Sequence, residues 1–216
     1  MNVERRGGQF LLSDVDPELQ EAAAALGFVR EGDRFVRTFP EDARWLEEAW
    51  HNFARHAEAM LRQTASGVAP WGDGLIAFLA RVSGVDWWLT GSSALAVRGL
   101  AVSPRDIDLI TDAEGAERLG ALFVDALVEP VFAGDGWIAR WWGRAFLGAR
   151  VEWVAEVAPS VDEPHPVDFG PTAAANLETV RWRGHELRVP PLELQLAVAE
   201  RRGLRDRVEA IHKSTV

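Results

Sequence analysis

The 216-residue chain has no cysteine, no tyrosine and a single lysine, Lys213. Without cysteine there is no disulfide, no thiolate nucleophile, no iron–sulfur cluster and no Cys-ligated zinc. With its one lysine near the C-terminal end, the chain also lacks a P-loop lysine, a kinase-type phosphate lysine and a Schiff-base lysine. No run of about 18 apolar residues occurs, so no membrane-spanning helix is expected. Met1–Gly8 is polar and has no apolar signal core, and the cytoplasm is the expected location. Positive charge is scarce: 23 basic against 33 acidic residues leave a net charge of −10. Residues 1–90 carry −5, residues 91–180 carry −8 and residues 181–216 carry +3. An acidic body argues against non-specific DNA binding, while the basic C-terminal segment leaves a nucleic-acid substrate open.

What is present is ordinary for a folded chain of this length, at 48% hydrophobic and 26% charged residues. Asp16-Pro17 reads as a helix start running to Leu26 and stopped by Gly27. Phe28–Phe39 alternates around Glu31-Gly32-Asp33 as a small hairpin. A long helix is expected from Pro40, with Trp45, Leu46, Trp50, Phe53, Ala57, Met60 and Leu61 on its buried face. Another is expected over Pro70–Val82. The pattern then changes. Val85–Leu89 reads as a strand that breaks at Gly91-Ser92-Ser93, followed by a short helix over Ala94–Val97. Arg105–Thr111 alternates as a strand, and Asp112 caps a helix carrying Ala116, Leu119, Phe123 and Leu127. Strands are expected near Glu129–Phe132, Trp137–Trp142 and Arg150–Val157, with a loop over Pro159–Ala175. A hairpin turns at Arg183-Gly184, and helices over Pro191–Arg202 and Leu204–His212 end the chain. The order predicts an α+β (α/β) fold: a mixed β-sheet core with C-terminal helices (84–216) behind a mainly helical N-terminal region with a small hairpin (1–83).

The sharpest chemistry lies at Thr90-Gly91-Ser92-Ser93 and Asp106-Ile107-Asp108. On a strand, Asp106 and Asp108 share a face with Cα atoms roughly 6.6 Å apart. Like charges so placed repel unless a cation sits between them, and two carboxylates at that reach can bind divalent metal. Oxygen ligands and a phosphate substrate favour Mg2+ or Mn2+. Gly91-Ser92, between a strand and a helix, allows close backbone approach to phosphate and adds a hydroxyl, with no lysine required. Ser92 also suits a plain helix cap.

These residues resemble the nucleotidyltransferase superfamily related to DNA polymerase β, above all its small stand-alone bacterial members of antibiotic-modifying or toxin type. The family pattern is an apolar residue, Gly-Ser or Gly-Gly, a spacer of about a dozen residues, then Asp-apolar-Asp/Glu-apolar. Here thirteen residues (93–105) separate Gly91-Ser92 from Asp106-Ile107-Asp108-Leu109. The resemblance covers about residues 84–157. It implies a nucleotidyltransferase-like fold and a third carboxylate from a later strand. Glu152 in Val151-Glu152-Trp153 is the best match, with Glu156 as the alternative. It implies Asp106, Asp108 and Glu152 as catalytic and metal-binding residues. Gly91, Ser92 and Ser93 would hold the nucleotide, with Arg144 and the C-terminal Arg205 as candidate phosphate contacts.

The implied reaction moves a nucleoside monophosphate from a nucleoside triphosphate, ATP or another, to a hydroxyl and releases pyrophosphate. The acceptor stays open among a small molecule, a protein side chain and a tRNA end. A homodimer or a partner protein stays open as well, and residues 1–83 carry no catalytic motif. Two other readings stand beside this one. A non-catalytic relative would bind a nucleotide or a partner without turnover. A serine hydrolase would use Gly91-Ser92-Ser93-Ala94 as a nucleophile elbow, although Leu95 stands where the second glycine belongs.

Overall fold

A computed structural model describes residues 1–134, 136 and 138–214. The chain opens with strands β1 (Asn2–Arg6) and β2 (Gln9–Ser13). A 3-10 turn over Pro17–Leu19 leads into helix α1 (Gln20–Ala25). Strands β3 (Val29–Glu31) and β4 (Arg34–Thr38) follow. These four strands form one antiparallel sheet in the order β1-β2-β4-β3. The N-terminal region is thus a sheet as well as helices, and the small hairpin expected from the sequence is only its β3–β4 half. Strand β1 escapes sequence reading because its exposed side chains carry no buried alternation.

Helix α2 (Leu46–Ser66) starts six residues later than Pro40. Its Leu46, Phe53, Ala57, Met60 and Leu61 are buried as the spacing predicts. Phe53 stacks on Phe10 and Phe28, with ring centroids 5.4 and 5.5 Å away. Helix α3 (Trp71–Leu79), strand β5 (Trp87–Thr90), helix α4 (Gly91–Val97) and strand β6 (Ile107–Thr111) come next. Helix α5 (Ala113–Leu122) is capped by the Asp112 carboxylate, which accepts from the Gly115 N–H at 2.6 Å. Leu127 lies beyond this helix, in β7 (Leu127–Ala133). Strands β8 (Ala139–Phe146) and β9 (Arg150–Val157) follow. Trp137, where the expected Trp137–Trp142 strand begins, is outside the described residues. The expected loop over Pro159–Ala175 contains a 3-10 turn (Pro159–Asp162) and helix α6 (Pro171–Ala175). The hairpin β10 (Glu178–Trp182) and β11 (His185–Val189) precedes helices α7 (Leu192–Arg201) and α8 (Arg205–Ser214).

The central sheet runs β5-β6-β9-β8-β7, with β6 and β9 parallel and the other pairs antiparallel. The fold is α+β with a mixed sheet, as the element order predicts. One apolar core runs through both halves of the chain: Phe10 and Phe53 belong to the same cluster as Leu75, Leu127 and Trp153. Asn52 on α2 ties the halves further by donating to the Val124 carbonyl at 3.0 Å. Among the described residues no helix is long and apolar enough to cross a membrane.

Candidate functional site

Sheet register builds the site. Thr90 pairs with Asp108, Asp108 with Glu152, Glu152 with Arg144 and Arg144 with Glu129. Directly opposed residues on adjacent strands share a face. One polar row therefore crosses all five strands, in a sheet whose other positions are largely apolar. Asp106 stands one residue ahead of β6. Arg150, two residues before Glu152 and so on its face, donates to Asp106 Oδ2 at 2.8 Å. This row floors a cleft of about 600 Å3.

Gly91 is required where it stands. Its φ is +61°, and a Cβ there would lie 2.8 Å from Asp108 Oδ2. The turn between β5 and α4 can come this close to the carboxylate only without a side chain. Gln195 of α7 holds the turn by donating to the Gly91 carbonyl at 3.1 Å. The Thr90 hydroxyl donates to the Asp168 carbonyl at 2.6 Å.

The electrostatics divide the carboxylates. Burial pushes the Asp108 carboxyl well above the usual carboxylate range, and repulsion from Asp106 and Glu152 adds to it. Asp106 is raised by burial and by Glu152, against the pull of Arg150. Burial would raise Glu152 too, but Arg144 and Arg150 more than offset it and hold it below its ordinary value. Arg144 donates to Glu152 Oε2 at 3.0 Å and to Glu129. Burial works against its charge, yet Glu129 and Glu152 keep it more firmly protonated than a free arginine.

The structure brings Gly91, Asp106, Asp108, Glu152 and Arg144 to one cleft. Ser92 and Arg205 face a second cleft of about 880 Å3, which meets the first at Asp106 and Arg207. Ser93 lines neither: it is fully buried, and its hydroxyl donates to the Thr90 carbonyl at 2.9 Å. Glu156 lies apart, paired with Arg140 at 3.6 Å and lining a separate, smaller pocket. No histidine lines either cleft, so Ser92 has no triad partner there.

Several residues of the site escape the motif. Glu129, Arg150 and Arg37 are charges set into apolar strand sequence, and that placement is their only signal. Asp168, buried in the wall of the first cleft, comes from a loop rich in Pro, Asp and Gly with no signal at all. Its carboxyl is raised by burial. Trp142, Phe169 and Ile138 supply the apolar lining of the same cleft.

No family model matches the chain, and no curated protein matches it. Two solved structures are similar in fold. One is a Thermotoga maritima protein named as a nucleotidyltransferase, at 23% identity and a TM-score of 0.47, covering 65% of this chain and 88% of that one. The other is ANT(2″)-Ia in complex with adenylyl-2″-tobramycin, at 16% identity and a TM-score of 0.42, covering 67% of this chain and 87% of that one.

Proposed function

We propose that the chain is a metal-dependent nucleotidyltransferase that moves a nucleoside monophosphate from a nucleoside triphosphate to a hydroxyl acceptor. The observation that carries this reading is the convergence of Asp106, Asp108 and Glu152 on one cleft floor, beside a Gly91 turn that packs against Asp108. Asp106 and Asp108 are half-buried carboxylates that repel each other, a state that a bound cation relieves. Glu152 Oε1 is buried with no hydrogen bond, although it lies 3.3 Å from Arg150 Nη1 in an ion pair. This all-oxygen donor set fits Mg2+ or Mn2+. Among the described residues no ready cage of three or more His, Asp or Glu groups exists, and Arg150 sits between Asp106 and Glu152. Asp106 and Asp108 would hold the metal, which supplies charge neutralisation to the phosphates.

The acceptor hydroxyl gives its proton to the ionised Glu152 carboxylate as its oxygen attacks the α-phosphorus in line. The bond from that phosphorus to the bridging oxygen breaks, and pyrophosphate leaves. Gly91 gives the triphosphate room at the turn. Arg207, which lines both clefts and whose charge opposes the burial-driven rise of Asp106, Asp108 and Asp168, would meet the leaving pyrophosphate. Ser92 and Arg205 extend that contact into the second cleft. Trp142 and Phe169 offer apolar surface to a base or an acceptor.

The test is transfer of label from an α-phosphate-labelled nucleoside triphosphate to candidate acceptors, with pyrophosphate release counted alongside. Transfer that depends on Mg2+ and falls at least ~100-fold in Asp108→Asn supports the reading. Equal turnover in that variant overturns it. A second reading, nucleotide binding without turnover, draws on the two arginines that engage Glu152. Binding without transfer would favour it.

A further inference from the structure

The row of charges on the cleft floor begins outside the central sheet. Arg37, on β4 of the N-terminal sheet, donates to Glu129 Oε2 at 2.7 Å and to the Leu26 carbonyl at 2.8 Å. Glu129 also pairs with Arg144, and Arg144 with Glu152 at 3.0 Å. Glu152 lies 3.3 Å from Arg150, and Arg150 lies 2.8 Å from Asp106. Cations and anions alternate over six residues, from Arg37 at one end to Asp106 at the other. Most of the middle of the row is shielded from water: the side chains of Arg150, Glu129 and Arg144 are 8%, 9% and 13% exposed, and Glu152 between the two arginines is 25% exposed. Charges in such a place are weakly screened, so losing one member makes its neighbours pair again. Gly27 makes room for the first link, because a Cβ there would lie 1.6 Å from Arg37 Nη1.

We infer that Arg37 and Glu129 are positioning residues that set, through this row, how far Asp106 is free to hold a cation; the inference rests on Asp106 as a cation ligand. The alternation fixes the direction. Without the charge of Arg37, Glu129 keeps Arg144, Glu152 draws Arg150, and Asp106 loses its partner. Without the charge of Glu129, Arg144 turns wholly to Glu152, and Arg150 is left to Asp106 alone. Two substitutions at one remote ion pair therefore act in opposite directions. The N-terminal sheet, which carries no catalytic motif, acquires a role in the site by this route.

The test is Mn2+ affinity of the full chain, read from the paramagnetic resonance signal of free Mn2+. Arg37→Gln is expected to tighten binding by roughly tenfold, and Glu129→Gln to weaken it by roughly the same factor. The double variant, whose remaining four charges balance, returns near wild type, and Arg37→Lys stays there. A merely structural role would weaken binding in both single variants. Shifts of one sign, or no shift in either, overturn the inference. A crystal structure of metal-free Arg37→Gln gives an independent reading: Arg150 turned from Asp106 to Glu152 supports the row, and Arg150 still on Asp106 overturns it. Wild-type protein that binds no Mn2+ overturns Asp106 as a ligand, and the placement of Arg150 in that crystal then decides the row alone.

Discussion

Asp108 is held at a cost to the fold. Burial comes first and repulsion from Asp106 and Glu152 second, and both keep its carboxyl well above the usual range. A group with a raised folded pKa binds protons more tightly folded than unfolded. Its contribution to stability is therefore full below the ordinary carboxylate value and is lost as pH rises through the folded one. Asp108→Asn removes that dependence. Without metal, the variant is expected to melt several degrees higher than wild type at pH 7, and the gain should vanish below about pH 4. Thermal melts across pH check this, and equal midpoints at pH 7 would contradict it. Gly91→Ala acts oppositely. The left-handed φ and the 2.8 Å approach to Asp108 predict a loss of roughly 1–3 kcal/mol by urea unfolding. At this scale the paired aspartates and the glycine turn were legible, because a two-residue spacing on a strand fixes a shared face. The pairing of Arg144 and Arg150 with these carboxylates was not, since it depends on how β6, β9, β8 and β7 line up in the sheet.

Elements formed where the pattern had one clear period. Strand β9 occupies the Arg150–Val157 span where a strand is expected. Helix α2 buries the face its spacing predicts, but its start was misplaced: Pro40 opens a turn, and Trp45, at φ 62°, stands just ahead of the first helical residue. Phe53 is the anchor of this helix, 2% exposed between Phe10 and Phe28. Phe53→Ala is expected to cost about 3–5 kcal/mol in urea unfolding. A loss under about 1 kcal/mol would contradict the place given to α2 in the core. Asp112→Ala, which removes the α5 cap, should cost about 1 kcal/mol. Strands β1 and β2 were missed because edge strand β1 faces water and its short partner reads as one apolar run.

Across the whole molecule, the sequence pattern changes after residue 83, but the packing does not divide there. The apolar cluster runs from Phe10 to Val189, and Ala25, Leu26, Gly27 and Arg37 wall the same cleft as Asp106 and Asp108. The mixed sheet and the C-terminal helices followed from element order. The wall did not, because contacts between distant segments leave no periodic trace. The account's central claim is that a nucleoside triphosphate binds on this cleft floor with a divalent metal. Thermal unfolding with each of the four nucleoside triphosphates, with and without Mg2+, on wild type and Asp106→Ala/Asp108→Ala tests it most directly. A ligand that binds only the folded chain raises the midpoint by mass action. The account predicts a Mg2+-dependent rise with at least one triphosphate that disappears in the double variant. A rise that survives both substitutions, or no rise with any of the four, contradicts it.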